Sequence, residues 1–218
     1  MFQPGAFFMF EKAPAKGIFL CLMEEGLRKA LERRAARVES LKAELDGLGA
    51  AKITFEIGCG KGHYLSAYGQ ANPGELCVGI DIISSRVRDG MRKNERRGNE
   101  NVVFMKALCE EFLEAMPDGM KFGKIFIFFP DPWPKKRHFR RRLIQPEFLD
   151  ALMPRCLPET RLYFRTDHDG YFEWAEGVFN AHPGWETLAD NSLPFEEVSQ
   201  FQRILPVFNT FAARLKSQ

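Results

Sequence analysis

Little in this 218-residue chain is extreme, and what it lacks excludes several classes of protein. The cysteines (Cys21, Cys59, Cys77, Cys109 and Cys156) are scattered, with no CxxC pair and no metal-like spacing to histidine. An odd count fits reduced thiols in a cytosolic protein better than a disulfide framework. No metal is expected. No apolar run is long enough to span a membrane. The nearest, Gly17–Met23, is too short and lacks the arrangement of a signal peptide. Neither sign of charge dominates: 31 Lys and Arg against 29 Asp and Glu leave a formal +2. Affinity for a polyanion must therefore come from local clustering. There is no internal repeat and no low-complexity segment. These absences leave a soluble, cytoplasmic globular protein with no membrane partner.

The patterning divides the chain in two. Over 22–48, Leu27, Leu31, Val38, Leu41, Leu45 and Leu48 recur at steps near three and four. That spacing predicts an amphipathic helix with charge on its outer face, ended near Gly47 and Gly49. Residues 1–50 are read as an N-terminal segment packed on or capping a main domain, 51–218.

In the main domain short apolar runs alternate with helical patterns. Strands are expected at 53–57, 76–80, 102–105, 124–129 and 161–166. Helices are expected near 63–70, 84–97, 109–116, 146–155 and 169–181. A last strand at 207–215 is expected, antiparallel to its neighbours. Ser84 or Ser85 offers a cap for the charged helix. Alternation of this kind implies an α/β fold: a mostly parallel, twisted sheet with helices on both faces. Ligands of such sheets bind beyond the carboxyl ends of the strands. Glu56–Gly58, Asp81, Asp131 and Asp167 all fall at predicted strand ends.

Glu56-Ile57-Gly58-Cys59-Gly60-Lys61-Gly62 follows the first strand. Its glycines let the backbone turn sharply beside a ligand. Asp81 stands where an acid bonds ribose hydroxyls. A dinucleotide site would want a third glycine where His63 stands, and Glu56 would not help to seat a pyrophosphate. S-adenosylmethionine carries a sulfonium and an ammonium and no phosphate, so an acid at the turn suits it. A merely structural turn is the competing reading.

The densest stretch is Phe129-Pro130-Asp131-Pro132-Trp133-Pro134-Lys135-Lys136-Arg137-His138, leading into Arg140-Arg141-Arg142. Alternate prolines should press Phe129, Asp131 and Trp133 into extended conformations. A carboxylate and an indole then sit on a stiff arm beside a block of positive charge. Trp133 admits two readings, stacking on a base or packing beneath the arm. The cations suit RNA phosphates, although a charge run is more often a solvated face. The basic helix at 84–97 is weighed towards solvation.

Together with Glu56–Gly62, Gly79-Ile80-Asp81, Thr166-Asp167 and Tyr171, this stretch resembles the bacterial tRNA (guanine-N7-)-methyltransferase family over about residues 53–175. The resemblance implies a Rossmann-like methyltransferase fold. It also implies methyl transfer from S-adenosylmethionine, leaving S-adenosylhomocysteine, to N7 of a guanine in the tRNA variable loop. By position, Glu56, Gly58, Gly60, Asp81, Leu108 and Asp131 would serve the cofactor, with Asp131 also catalytic. Lys135, Asp167, Ser199 and Gln202 would serve the substrate, with Arg140, Arg141 and Arg142 on its phosphates. Two positions depart from the family pattern. Leu108 stands where an acid is usual, with Glu110 or Glu111 as substitutes. Ser199-Gln200-Phe201-Gln202 stands for a segment that usually ends in glutamate. The partner would be tRNA, the protein a monomer or homodimer. Two other readings compete: methylation of an exocyclic amino nitrogen, against which the basic run argues, and an RNA-binding protein without activity.

Overall fold

The computed structural model describes residues 15–195 and 207–216, with side chains from residue 25 onward. A seven-stranded sheet runs in the order β3-β2-β1-β4-β5-β7-β6. Its strands are β1 (Lys52–Ile57), β2 (Cys77–Asp81), β3 (Val102–Lys106), β4 (Lys121–Phe128), β5 (Cys156–Thr166), β6 (Trp185–Leu188) and β7 (Asn209–Leu215). β1 lies in the interior of the sheet, parallel to both β2 and β4. β7 pairs antiparallel to β5 and to β6. The helices are α1 (Ala15–Gly47), α2 (His63–Ala71), α3 (Ser84–Arg97), α4 (Cys109–Ala115), α5 (Pro146–Leu152) and α6 (Asp169–Ala181).

The alternation of β1 explains its place. Ile53, Phe55 and Ile57 are buried in one cluster with Leu41, Leu45, Phe112 and Phe122. The Phe55 ring stacks on Phe112 and Phe122, with centroids at 4.5 and 4.9 Å. Thr54 and Glu56 alternate with them and are buried too, so β1 is covered on both faces. Chain order reverses on either side of β1. The crevice at its carboxyl end is therefore the switch point at which such sheets take ligands.

Four local expectations change. β6 was not anticipated: Trp185-Glu186-Thr187-Leu188 is short and carries no apolar alternation, yet Trp185 is fully buried. Neither Ser84 nor Ser85 caps α3. Its N-cap is Ile83, whose N–H donates to Asp81 Oδ1 at 2.8 Å. Among the described side chains of α1, Val38, Leu41 and Leu45 are packed on the core. Leu27 and Leu31 are exposed. Finally, Phe129 and Trp133 are not extended but take φ of 51° and 42°. Proline closes the right-handed helical region to the residue before it. The sharp reversal after β4 is made instead through the sparsely populated positive-φ region.

Candidate active site

The glycine turn leaves β1 with Gly58, Gly60 and Gly62 at φ of 74°, 54° and 63°. A Cβ on Gly58 or Gly60 would meet nothing, so both face open space. At Gly62 it would lie 2.5 Å from the Phe104 ring, which is why only glycine fits there. Asp81 ties the turn to the next element. Its Oδ2 accepts from Gly60 N–H at 3.1 Å and its Oδ1 from Ile83 N–H at 2.8 Å. Arg86 Nη1 lies 3.6 Å from the same carboxylate. The spacing between glycine turn and acid, legible in the sequence, is thus the span of a direct hydrogen bond.

A cavity of about 870 Å³ opens at these strand ends. Gly58, Asp81, Leu108, Asp131, Arg140, Arg141 and Arg142 all line it, from segments far apart in sequence. Lys135 and Asp167 are exposed and do not line it. Gly60 stands just behind, on Asp81. Ser199 and Gln202 lie outside the described residues. Of the two acids that could replace the one missing at Leu108, Glu110 lines the cavity. Glu111 is buried and held by Arg37 at 2.6 Å, which keeps its carboxyl below the ordinary range. Sequence reasoning missed Arg34 and Arg86 on the cavity wall. Arg34 comes from α1 and bonds Glu114, a pairing across 80 residues that no local pattern signals.

Glu56 is placed differently from its expectation. It is 4% exposed and lies beneath the glycine turn rather than on the cavity wall. Its carboxyl accepts from the Leu65 backbone, while Oε2 has no partner. Burial, with the Asp81 charge adding, raises its pKa from 4.5 to about 8. The folded protein keeps a proton that the unfolded chain releases. The favourable contribution is therefore complete below about pH 4.5 and is lost as pH rises to about 8. An orphaned acid under a glycine turn fits a cationic ligand. Such a cation lowers the carboxyl's pKa, so binding releases a proton. S-adenosylhomocysteine binding by calorimetry in buffers of different ionisation enthalpy should show that release between pH 6 and 8. Glu56→Gln should remove it, and an equal release from that variant would discount Glu56.

The arm after β4 is fastened at both ends. Phe129 N–H donates to Arg165 O on β5 at 2.8 Å. Farther along, Arg142 Nε donates to Pro132 O at 2.9 Å and Nη1 to Gly170 O at 3.1 Å. Its guanidinium packs on the rings of Phe139, Tyr171 and Trp174, at 3.7, 4.9 and 5.4 Å. Arg142 is 3% exposed. This corrects the grouping of the three arginines: Arg140 and Arg141 are exposed at the cavity, whereas Arg142 is spent inside the protein. Trp133 is half-buried between Arg141, 5.0 Å from its ring, and the edge-on ring of His138. Among the described residues no three His, Cys, Asp or Glu side chains are grouped to hold a metal. No described helix is long and apolar enough to cross a membrane.

A parallel sheet reversing at β1, an antiparallel β7 between β5 and β6, and a glycine turn bonded to the acid of β2 define a Rossmann-like methyltransferase. Comparison with solved structures agrees at the level of fold. The antibiotic-resistance methyltransferase Kmr superposes with a TM-score of 0.51 at 18% identity, covering 80% of this chain and 93% of that one. The precorrin-6y C5,15-methyltransferase of Geobacter metallireducens gives 0.50 at 14% identity, over 76% and 80% of the two chains. A family described as "Putative methyltransferase" matches residues 50–216. The tRNA (guanine-N(7)-)-methyltransferase of Chromohalobacter salexigens is 30% identical over 203 residues, 91% of this chain and 82% of that protein. That of Caulobacter vibrioides is 33% identical over 154 residues, 69% and 68% of the two chains. The chain belongs to the tRNA (guanine-N(7)-)-methyltransferase family.

Proposed function

We propose that this protein methylates N7 of a guanine in the tRNA variable loop, with S-adenosylmethionine as donor. One observation carries the reading. Gly58, Asp81 and Asp131 surround one cavity, and two exposed arginines, Arg140 and Arg141, stand on its wall. Bound there, S-adenosylmethionine would supply an electrophilic methyl group on a sulfonium. Gly58 allows close backbone approach, Asp81 has lone pairs left for ribose hydroxyls, and Glu56, once the bound cation has displaced its proton, lends negative charge from beneath.

Guanine N7 bears a lone pair and no proton, so the chain need not supply a general base. What it supplies is placement, N7 in line with the methyl carbon and sulfur. Asp131 is the candidate catalytic residue. Its carboxylate can accept from the guanine N1 and N2 hydrogens and stabilise the positive charge that grows on the methylated ring. Asp167, at the tip of β5, and Lys135 serve the nucleotide from outside the cavity. Arg140 and Arg141 take backbone phosphates. Neutralising both should weaken tRNA binding and make the plot of log affinity against log salt shallower by about two. An unchanged slope in filter binding would return them to the solvated face.

The direct test is to incubate the protein with bulk tRNA and methyl-labelled S-adenosylmethionine, then digest the RNA. Label in 7-methylguanosine is expected. Label on an exocyclic amino nitrogen, or none, overturns the reading.

A further inference from the structure

Helix α3 lies outside the arm and carries six cations (Arg86, Arg88, Arg92, Lys93, Arg96 and Arg97) against two acids, Asp89 and Glu95. In a chain with a formal charge of only +2, that is a strong local excess. Its arrangement is ordered. Val87, Gly90 and Asn94 are buried against the sheet. Arg88, Arg92 and Arg96 follow one another at intervals of four and are all exposed, so they form one outward stripe. Beside it, Lys93 Nζ donates to Lys61 O in the glycine turn at 2.8 Å, and Arg97 Nη1 to Gln70 of α2 at 3.0 Å. Lys61, Lys93 and Arg97 are thereby gathered on the α2–α3 seam. Burial of Lys93, and after it the nearby charges of Arg97, Lys61 and Arg96 against the opposing pull of Asp89, lower its pKa to about 8.

Helix stability does not account for this. Cations in a last turn complement the helix dipole, which explains Arg96 and Arg97. It leaves Arg88, Lys93 and Lys61 unexplained. Neighbouring acids neutralise only part of the group: Asp89 pairs with Arg92, and Glu44 of α1 shares only a shallow groove with Arg88. Crowded like charges cost stability unless an anion settles among them.

Arg86, in the first turn of α3 and on the side of the helix shared with Lys93 and Arg97, lines the cavity wall, as do Arg140 and Arg141. From there α3 runs away from the cavity for roughly 20 Å, enough to follow several phosphates. We infer that the outer face of α3, with Lys61, is a second RNA-docking surface that takes the backbone of the folded tRNA around the target base. This rests on the tRNA reading above. It assigns the substrate's single strand to the arm and its helical body to α3. The enzyme would then select structured tRNA over short single strands.

The test is the full chain carrying Arg88→Gln, Arg92→Gln and Arg96→Gln together. None of the three is buried, and S-adenosylhomocysteine binding reports that the variant has folded. Affinity for a full-length tRNA transcript, by filter binding across a salt series, should fall at least tenfold, with a slope shallower by about two to three. Affinity for a short guanine-containing single strand should not change. Wild-type tRNA affinity and slope in the variant would overturn the proposal, as would an equal loss for both RNAs. Should the triple variant not fold, Arg88→Gln alone must still weaken tRNA binding and make the slope shallower by about one. Product analysis with the unaltered protein keeps the two readings apart. If it makes 7-methylguanosine while the variant binds tRNA normally, only the docking surface falls. If it makes none but tRNA affinity still depends on α3, only the proposed activity falls.

Discussion

Asp131→Ala is expected to reduce methyl transfer by about 10²–10³-fold, the usual cost of deleting a preorganised charge aimed at the reacting group. The carboxylate is exposed at the cavity on an arm whose flanking residues, Phe129 and Trp133, hold positive φ. Bulky residues adopt that conformation only where their surroundings over-determine it, and such positions gather at functional sites. The loss should appear in kcat, because the bound guanine loses its orienting acceptor and the cationic ring its counter-charge. Binding of tRNA should change little, since its phosphates are held elsewhere. Asp131→Asn, which keeps the shape and one acceptor oxygen, should recover part of the orientation but none of the charge stabilisation. Single-turnover rates with saturating tRNA separate these effects. Near-normal turnover in Asp131→Ala would remove this residue from the mechanism.

The second large effect is expected at Arg142, and it is an effect on folding and placement. Arg142→Met should destabilise the protein by about 3 kcal/mol. Two carbonyl oxygens, of Pro132 and Gly170, lose a buried donor, and each such loss costs about 1–3 kcal/mol. For a domain of this size that lowers the melting temperature by roughly 6–12 °C. Arg142→Lys should recover little, because a single ammonium does not reproduce the planar fork that reaches two acceptors while lying on aromatic rings. Turnover should fall as well. Pro132 directly follows Asp131, and Gly170 lies three residues beyond Asp167, so one guanidinium sets the separation of the two acids. The salt slope of tRNA binding should stay unchanged, in contrast to neutralising Arg140 and Arg141. A variant that melts normally but shows a shallower slope would put Arg142 back among the phosphate ligands.

That contrast shows where reading the chain stops. Arg140, Arg141 and Arg142 are identical as letters, and a basic run is indifferent to which member faces inward. Burial of the third depends on Tyr171 and Trp174, on a helix about thirty residues later. Glu56 is a similar case. Its position near the end of β1 marks it as leading into the glycine turn, but its proton depends on a desolvation that arises only when the folded protein buries it. The alternate prolines pointed to extended conformations at Phe129 and Trp133, wrongly. Proline removes the right-handed helical option, and the path back towards β5 then decides between extended and positive φ. β6 escaped notice because its pairing with β7 is set by a partner distant in sequence, with no apolar alternation of its own.

What the amino-acid order determined by itself is local and periodic: alternating apolar runs that make a central parallel sheet, glycines that demand a turn, and acids at strand tips. Those follow from short-range sterics and from the burial of apolar faces, both of which act along a few consecutive residues. The tertiary structure alone decided which charges face the cavity, which one is spent as a rivet, and which carboxyl keeps its proton. Charge in a protein takes its meaning from dielectric and distance, and both are properties of packing between segments that the chain brings together only when folded.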